Sequence, residues 1–323
     1  MFGKQAARYD LRLGSSCFFA STNQSTSSPS PITGRLCVTF PQAVWVNRIK
    51  LILTRALKIP VEGTITTKDR EHITHVQELE LASSKTHRPF NLPPGDYEFP
   101  FEIPLREIVL ETVTGPGHNY RTYRIDAIVE RTYWKDTIVS QPLRIYNAPN
   151  TEWNDINSWY PLTVEGQSDQ NILHCASIPS SHIPFGSTFS IACGFQVPSK
   201  DVKLRTVTIE VIEKHKLLLD ATAAEAALGI LHITSAKDLT VFRERLEPVP
   251  ESGLVSCTGT EWCISTQALL PVSFDLCSQS VMTRTVKIMH SLVITSEFEH
   301  ENGELFDTVC NSILEEDSTP EVG

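Results

Sequence analysis

Apolar residues in this chain recur at every second position in short runs, and clusters of Pro, Gly, Ser and Asn separate the runs. That period places successive side chains on opposite faces of an extended strand; a helix needs a period near 3.6, which is almost absent here. Tyr9, Leu11 and Leu13 alternate with Asp10 and Arg12, and Ile49, Leu51 and Leu53 with Arg48, Lys50, Ile52 and Thr54. Tyr123, Ile125, Ala127 and Val129 alternate with Arg124, Asp126, Ile128 and Glu130, and Val207, Ile209 and Val211 with Thr208, Glu210 and Ile212. Half-buried strands broken at turn residues predict an all-β chain built of antiparallel sandwiches.

The predicted strands of the first half cover 9–13, 34–40, 44–57, 97–103, 120–133 and 137–146. Pro100 and Pro104 mark strand 97–103 as an edge or a short strand, because proline has no N–H to give to a ladder. Between Gly63 and Ser84 the alternation weakens and polar residues dominate. The second half repeats the pattern at 173–178, 187–197, 204–217, 261–266, 286–298 and 305–313. Residues 220–231 are the exception: Asp220 can cap a short helix there, and a loop fits the sequence equally well.

At 323 residues with 41% apolar content, the chain is long enough for two cores. The predicted organisation is two immunoglobulin-like sandwiches in tandem, residues 1–150 and 169–315. A linker at 151–168 joins them and a disordered tail occupies 316–323. Pro149, Trp153, Trp159 and Pro161 place the boundary, since periodicity lapses around them. The Ser/Thr/Pro tract at 23–31 reads as a mobile loop.

The opening MFGKQAARYD has no apolar run and nothing reaches the ~18 apolar residues of a membrane helix, so a cytosolic protein is expected. Eight cysteines are scattered without a CxxC pair and are expected as reduced, packed thiols. Asn23-Gln24-Ser25 matches a glycosylation sequon, a pattern short enough to arise by chance. Net charge is −10, carried by the second half: residues 1–165 sum to +1 and residues 166–323 to −11. Neither half offers the positive field that phosphate-backbone binding needs, which argues against nucleic acid as a partner.

No GxSxG elbow, HExxH, P-loop or GxGxxG occurs, so no catalytic activity and no cofactor are expected. His72 and His75 read as a surface pair. Cys257 and Cys263 bracket a turn, lack zinc-knuckle spacing and read as packing residues. No metal site is expected from spacing.

Several segments nevertheless resemble the arrestin family, in particular the fungal α-arrestins, or arrestin-related trafficking adaptors. Leu92-Pro93-Pro94-Gly95-Asp96-Tyr97-Glu98-Phe99-Pro100-Phe101-Glu102-Ile103-Pro104 is similar to the LP-x-G-x-Y-x-FPF segment of arrestin N-terminal domains. Ile183-Pro184-Phe185-Gly186 with 202–215, and Lys287-Ile288-Met289-His290-Ser291-Leu292, resemble strands of the C-terminal domain. The pieces keep their order over roughly residues 9–314. The resemblance implies a non-enzymatic adaptor that binds cytosolic tails of plasma-membrane transporters or receptors and couples them to endocytosis. It implies a cytoplasmic protein recruited peripherally to the plasma membrane or endosomes. Many members recruit a HECT-type ubiquitin ligase through PPxY. Here Pro93-Pro94-Gly95-Asp96-Tyr97 has its tyrosine one position too late, so ligase recruitment is implied by kinship alone. A retromer-like scaffold and a pH-signalling arrestin are the alternatives within the same fold.

Arrestin-like N-domains read acidic or phosphorylated tails with cations, and Arg offers a planar fork for such groups. The candidates are Arg8, Arg12, Arg48, Lys50, Arg121, Arg124, Arg131 and Lys135. They sit on separate strands among Asp126, Glu130 and Asp136, so only a sheet can gather them. Strand addition to an exposed edge is a further hypothesis for partner binding, left open because Pro100 and Pro104 guard one edge.

Overall fold

A computed structural model describes residues 6–20, 31–62, 67–84, 89–105, 109–147, 161–181, 183–221, 223–247 and 255–313. Residues 23–30 of the expected loop, the tail at 316–323, and Trp153 and Trp159 lie outside them. Strands dominate. The chain divides into two compact units: 1–114 with 119–151, and 115–118 with 152–323. No helix among the described residues is long and apolar enough to cross a membrane.

In the first unit, β1 (Arg8–Leu13), β3 (Ile32–Phe40) and β7 (Gly95–Ile103) form a sheet ordered β1-β3-β7. The opposing sheet is ordered β2-β10-β9-β4-β5, from β2 (Cys17–Ala20), β10 (Thr137–Asn147), β9 (His118–Arg131), β4 (Val44–Glu62) and β5 (Thr67–Ser83). Short β6 (Phe90–Leu92) and β8 (Val113–Gly115) pair with β4 and β9. All pairings are antiparallel except β2 on β10, where Cys17–Ala20 run parallel to Arg144–Asn147. The first strand segment therefore starts in one layer and finishes in the other.

The core follows the alternation. Leu36 and Val38 of β3, Ile49, Leu51 and Leu53 of β4, and Ile125, Ala127 and Val129 of β9 are buried between the layers. Phe40 meets Tyr9 edge-on at 6.0 Å and Tyr97 at 5.9 Å. Gly34 breaks the row of large residues on β3 because Phe101, opposite it in register, fills that space with its ring. Strand β7 ends its sheet, as its prolines predicted. Strand β5 occupies the polar stretch where alternation fades. It is the last strand of its sheet, so little apolar patterning is required of it.

The second unit holds one sheet ordered β11-β12-β13-β17-β16, from β11 (Leu162–Gln167), β12 (Leu173–Ile178), β13 (Thr188–Gln196), β16 (Val255–Thr258) and β17 (Glu261–Leu269). The other is ordered β15-β14-β19-β18, from β14 (Lys203–Asp220), β15 (His232–Leu246), β18 (Val281–Met282) and β19 (Val286–Glu299), with β20 (Leu305–Ile313) also on β19. Residues 162–167, expected in the linker, instead pair with β12. Helix α1 (Ala223–Ala226) is a single turn. Phe298 anchors this core, 5.8 Å from Phe195 and 5.6 Å from Phe306.

All eight cysteines are free thiols, but only Cys193, Cys277 and Cys310 are buried. Packing was expected for Cys257 and Cys263. Both are exposed; Cys263 falls on the outward parity of β17, between Trp262 and buried Ile264.

Candidate functional site

The sheets separate the candidate cations rather than gathering them. Arg48 and Lys50 project from the outer face of β4, and Glu130 of β9 and Glu78 of β5 flank them. Arg48 reaches Glu130 at 2.9 Å and Glu78 at 3.3 Å, and Lys50 reaches the same two carboxylates at 3.3 and 3.4 Å. The two forked bonds from Arg48 hold the Glu130 carboxyl below its ordinary range, and the four charges sum to zero. An incoming anion would have to displace carboxylates already in place.

Arg121 is not on the surface: it is 1% exposed and donates to the Glu111 carbonyl at 3.2 Å. It shares the parity of Tyr123 and Ile125, so the strand turns it inward, and burial lowers its pKa. Arg124 bonds Asp126 at 3.0 Å, and Asp126 also accepts from Thr54 and Ser140. Arg131 folds onto the Lys135 carbonyl at 2.7 Å and so braces the β9–β10 turn, where Lys135 is exposed.

Arg8 and Arg12 remain, both exposed on β1. Among the described residues β3 is the one ladder partner of β1, so the opposite edge of β1 carries no strand of its sheet. Asp10 lies between the two arginines and binds Arg12 at 2.6 Å. Across the same face, β7 presents Asp96, Glu98 and Glu102 outward, and Arg35 of β3 is tied to Glu98 at 3.1 Å. The sheet thus runs from a basic edge at β1 to an acidic edge at β7. An extended anionic segment is favoured at the first and repelled at the second.

A second polar constellation escaped the reading by spacing. In the second unit, Glu213 of β14 is 0% exposed and faces His290 of β19, its register partner, with 3.4 Å between Oε2 and Nε2. The Ser278 amide donates to the same oxygen at 2.6 Å. His215 is hydrogen-bonded to Oε1. Burial alone would raise the Glu213 pKa; the bonds from His215, His290 and Ser278 outweigh it and hold the group well below the carboxylate range. Cys277 Sγ lies 3.6 Å from His290 Nε2, and burial with the Glu213 charge pushes its thiol up to about 12. His118, grouped with this unit, bonds the Pro116 carbonyl and the Ser278 hydroxyl, and burial pushes it down to about 4. His72 and His75, by contrast, are three residues apart on β5, on opposite faces.

The chain is 22% identical over 308 residues to the probable HECT-type ubiquitin ligase-interacting protein creD of Aspergillus terreus, a match covering 93% of this chain and 52% of that protein. The HECT-type ubiquitin ligase-interacting protein creD of Emericella nidulans is similar at 22% over 308 residues, 93% of this chain and 51% of that protein. A probable creD of Aspergillus fumigatus matches at 22% over 305 residues, 92% of this chain and 50% of the relative. The chain thus spans about half the length of these relatives. No family model matches it.

Proposed function

We propose that this chain is an arrestin-like, non-enzymatic adaptor that binds acidic or phosphorylated cytosolic tails of membrane transporters or receptors and couples them to endocytosis. It would work in the cytoplasm, at the plasma membrane or endosomes. The observation that carries the reading is the arginine-flanked edge of β1, which among the described residues has no ladder partner, in a chain similar along 93% of its length to ligase-interacting proteins. An extended tail added beside β1 gains backbone hydrogen bonds and places alternate side chains next to Arg8, Asp10 and Arg12. Carboxylate or phosphate opposite Arg8 and Arg12 supplies the preference. By analogy with the relatives, the bound tail is presented to a HECT-type ubiquitin ligase. No PPxY lies within these residues.

Fluorescence anisotropy with acidic, phosphorylated and neutral transporter-tail peptides tests the reading. Acidic and phosphorylated peptides are expected to bind the full chain, to weaken with added salt, and to lose at least tenfold in affinity with R8E/R12E. R48E serves as the control, since its cation is already neutralised. Binding that is indifferent to salt and to R8E/R12E overturns the proposal.

A further inference from the structure

We propose that Glu213, Cys277 and His290 form a buried binding site for a divalent transition metal, best matched by zinc, in the second unit. Carboxylate, thiolate and imidazole together make the mixed hard and soft donor set that zinc accepts. The donor atoms all lie within 4.8 Å of one another. Tetrahedral zinc with bonds of roughly 2.0–2.3 Å requires about 3.4 Å between nitrogen and oxygen ligands and about 3.6 Å between nitrogen and sulfur. The observed separations are 3.4 Å for His290 Nε2 to Glu213 Oε2 and 3.6 Å for His290 Nε2 to Cys277 Sγ.

The surrounding groups orient these donors as outer partners of metal ligands do. His290 spends Nδ1 on the Ser280 hydroxyl at 3.0 Å, which leaves Nε2 for the site. The Ser278 amide fixes the Glu213 carboxylate at 2.6 Å. Glu213 and His290 are cross-strand partners on the paired strands β14 and β19, and Cys277 comes from the loop before β18. His118 and His215 also approach Glu213. Both His118 nitrogens are engaged by Pro116 and Ser278, and His215 bonds Glu213 directly, so they serve as outer partners.

Charge favours the same occupant. One dication with a carboxylate and a thiolate is neutral, which suits a site whose Glu213 and Cys277 are almost wholly shielded from water. On binding, the Cys277 S–H bond breaks, its proton leaves to solvent and an S–metal bond forms. Three protein ligands leave a fourth position for water. The ion then ties the Cys277–Ser280 loop to β14 and β19.

The test is cobalt substitution of the full chain, stripped with a chelator and kept reduced with a phosphine. One equivalent of Co²⁺ is expected to give intense tetrahedral ligand-field absorption with a thiolate-to-cobalt charge-transfer band. Zn²⁺ should displace it. C277S should remove the thiolate band and H290Q should cut affinity at least tenfold, while C263S, at an exposed thiol, keeps both. The wild-type spectrum decides the matter even if a variant fails to fold. Absence of stoichiometric uptake, a spectrum without the thiolate band, or a band that survives in C277S overturns the assignment.

Discussion

Gly34 packs β3 against β1, the strand whose far edge is proposed to bind, and its replacement by alanine separates two kinds of crowding. A Cβ at this position falls 2.6 Å from the Phe101 ring and closer still to the Arg12 carbonyl oxygen. Ordinary carbon contacts lie at roughly 3.5 Å, so the ring has to retreat by about 0.9 Å, which a side chain can partly do by rotating. The Arg12 carbonyl belongs to β1 itself and can yield only if the strand moves. Overpacking of this kind costs about 1–3 kcal/mol. For a unit of this size that lowers the melting temperature by about 3–10 °C. G34A should therefore melt lower, and hydrogen exchange should quicken in peptides covering β1. G34A/F101L should recover part of the melting temperature and none of the protection of β1. A G34A chain that melts within about a degree of the parent with β1 exchange unchanged refutes the reasoning.

Three further outcomes follow from the geometry. D10N should tighten binding of an acidic or phosphorylated peptide several-fold in the anisotropy assay, because it removes an anion beside the edge and releases Arg12; weaker binding would speak against the β1 edge. F298A should destabilise the second unit by about 3–5 kcal/mol in urea unfolding, since that ring is fully buried between Phe195 and Phe306. Burial pushes the Cys193 thiol up to about 12 from an unfolded value of 9.0, so the stabilisation it supports is whole below pH 9.0 and is lost as pH climbs to about 12. Urea midpoints at pH 8 and pH 10.5 should differ by less in C193A than in the parent, as about 1.36 kcal/mol per pH unit is removed with the thiol.

Strands that alternate buried and exposed residues over a core were legible. The predicted bounds of β12 and β20 coincide with those observed, and β4 and β9 differ only at their ends. The two polar edge strands β5 and β15 were not. β5 and β15 each close one side of a sheet, carry mixed polar sequences and give alternation little to work with. The cationic residues failed as a set because a list of charges ignores parity: the alternation that pointed Tyr123 and Ile125 inward pointed Arg121 inward too. The same bookkeeping carried two steps past Val207, Ile209 and Val211 reaches Glu213 and His215, two polar residues on a core-facing row. That was the available signal for the buried cluster. What no spacing rule supplies is the partner set, since His290 and Cys277 arrive through strand register and a loop 64 residues or more along the chain.

The crossing of the first strand segment between layers sets an order of events during synthesis. β1 can pair with β3 once Phe40 is made, but β2 closes the other sheet only against Arg144–Asn147. Until those residues leave the ribosome, the segment is clasped at one end alone. Long-range closure of this kind is slow and comes late. The edge that carries Arg8 and Arg12 is thus held through β3 alone until Asn147 is made, and only then is the segment anchored in both layers.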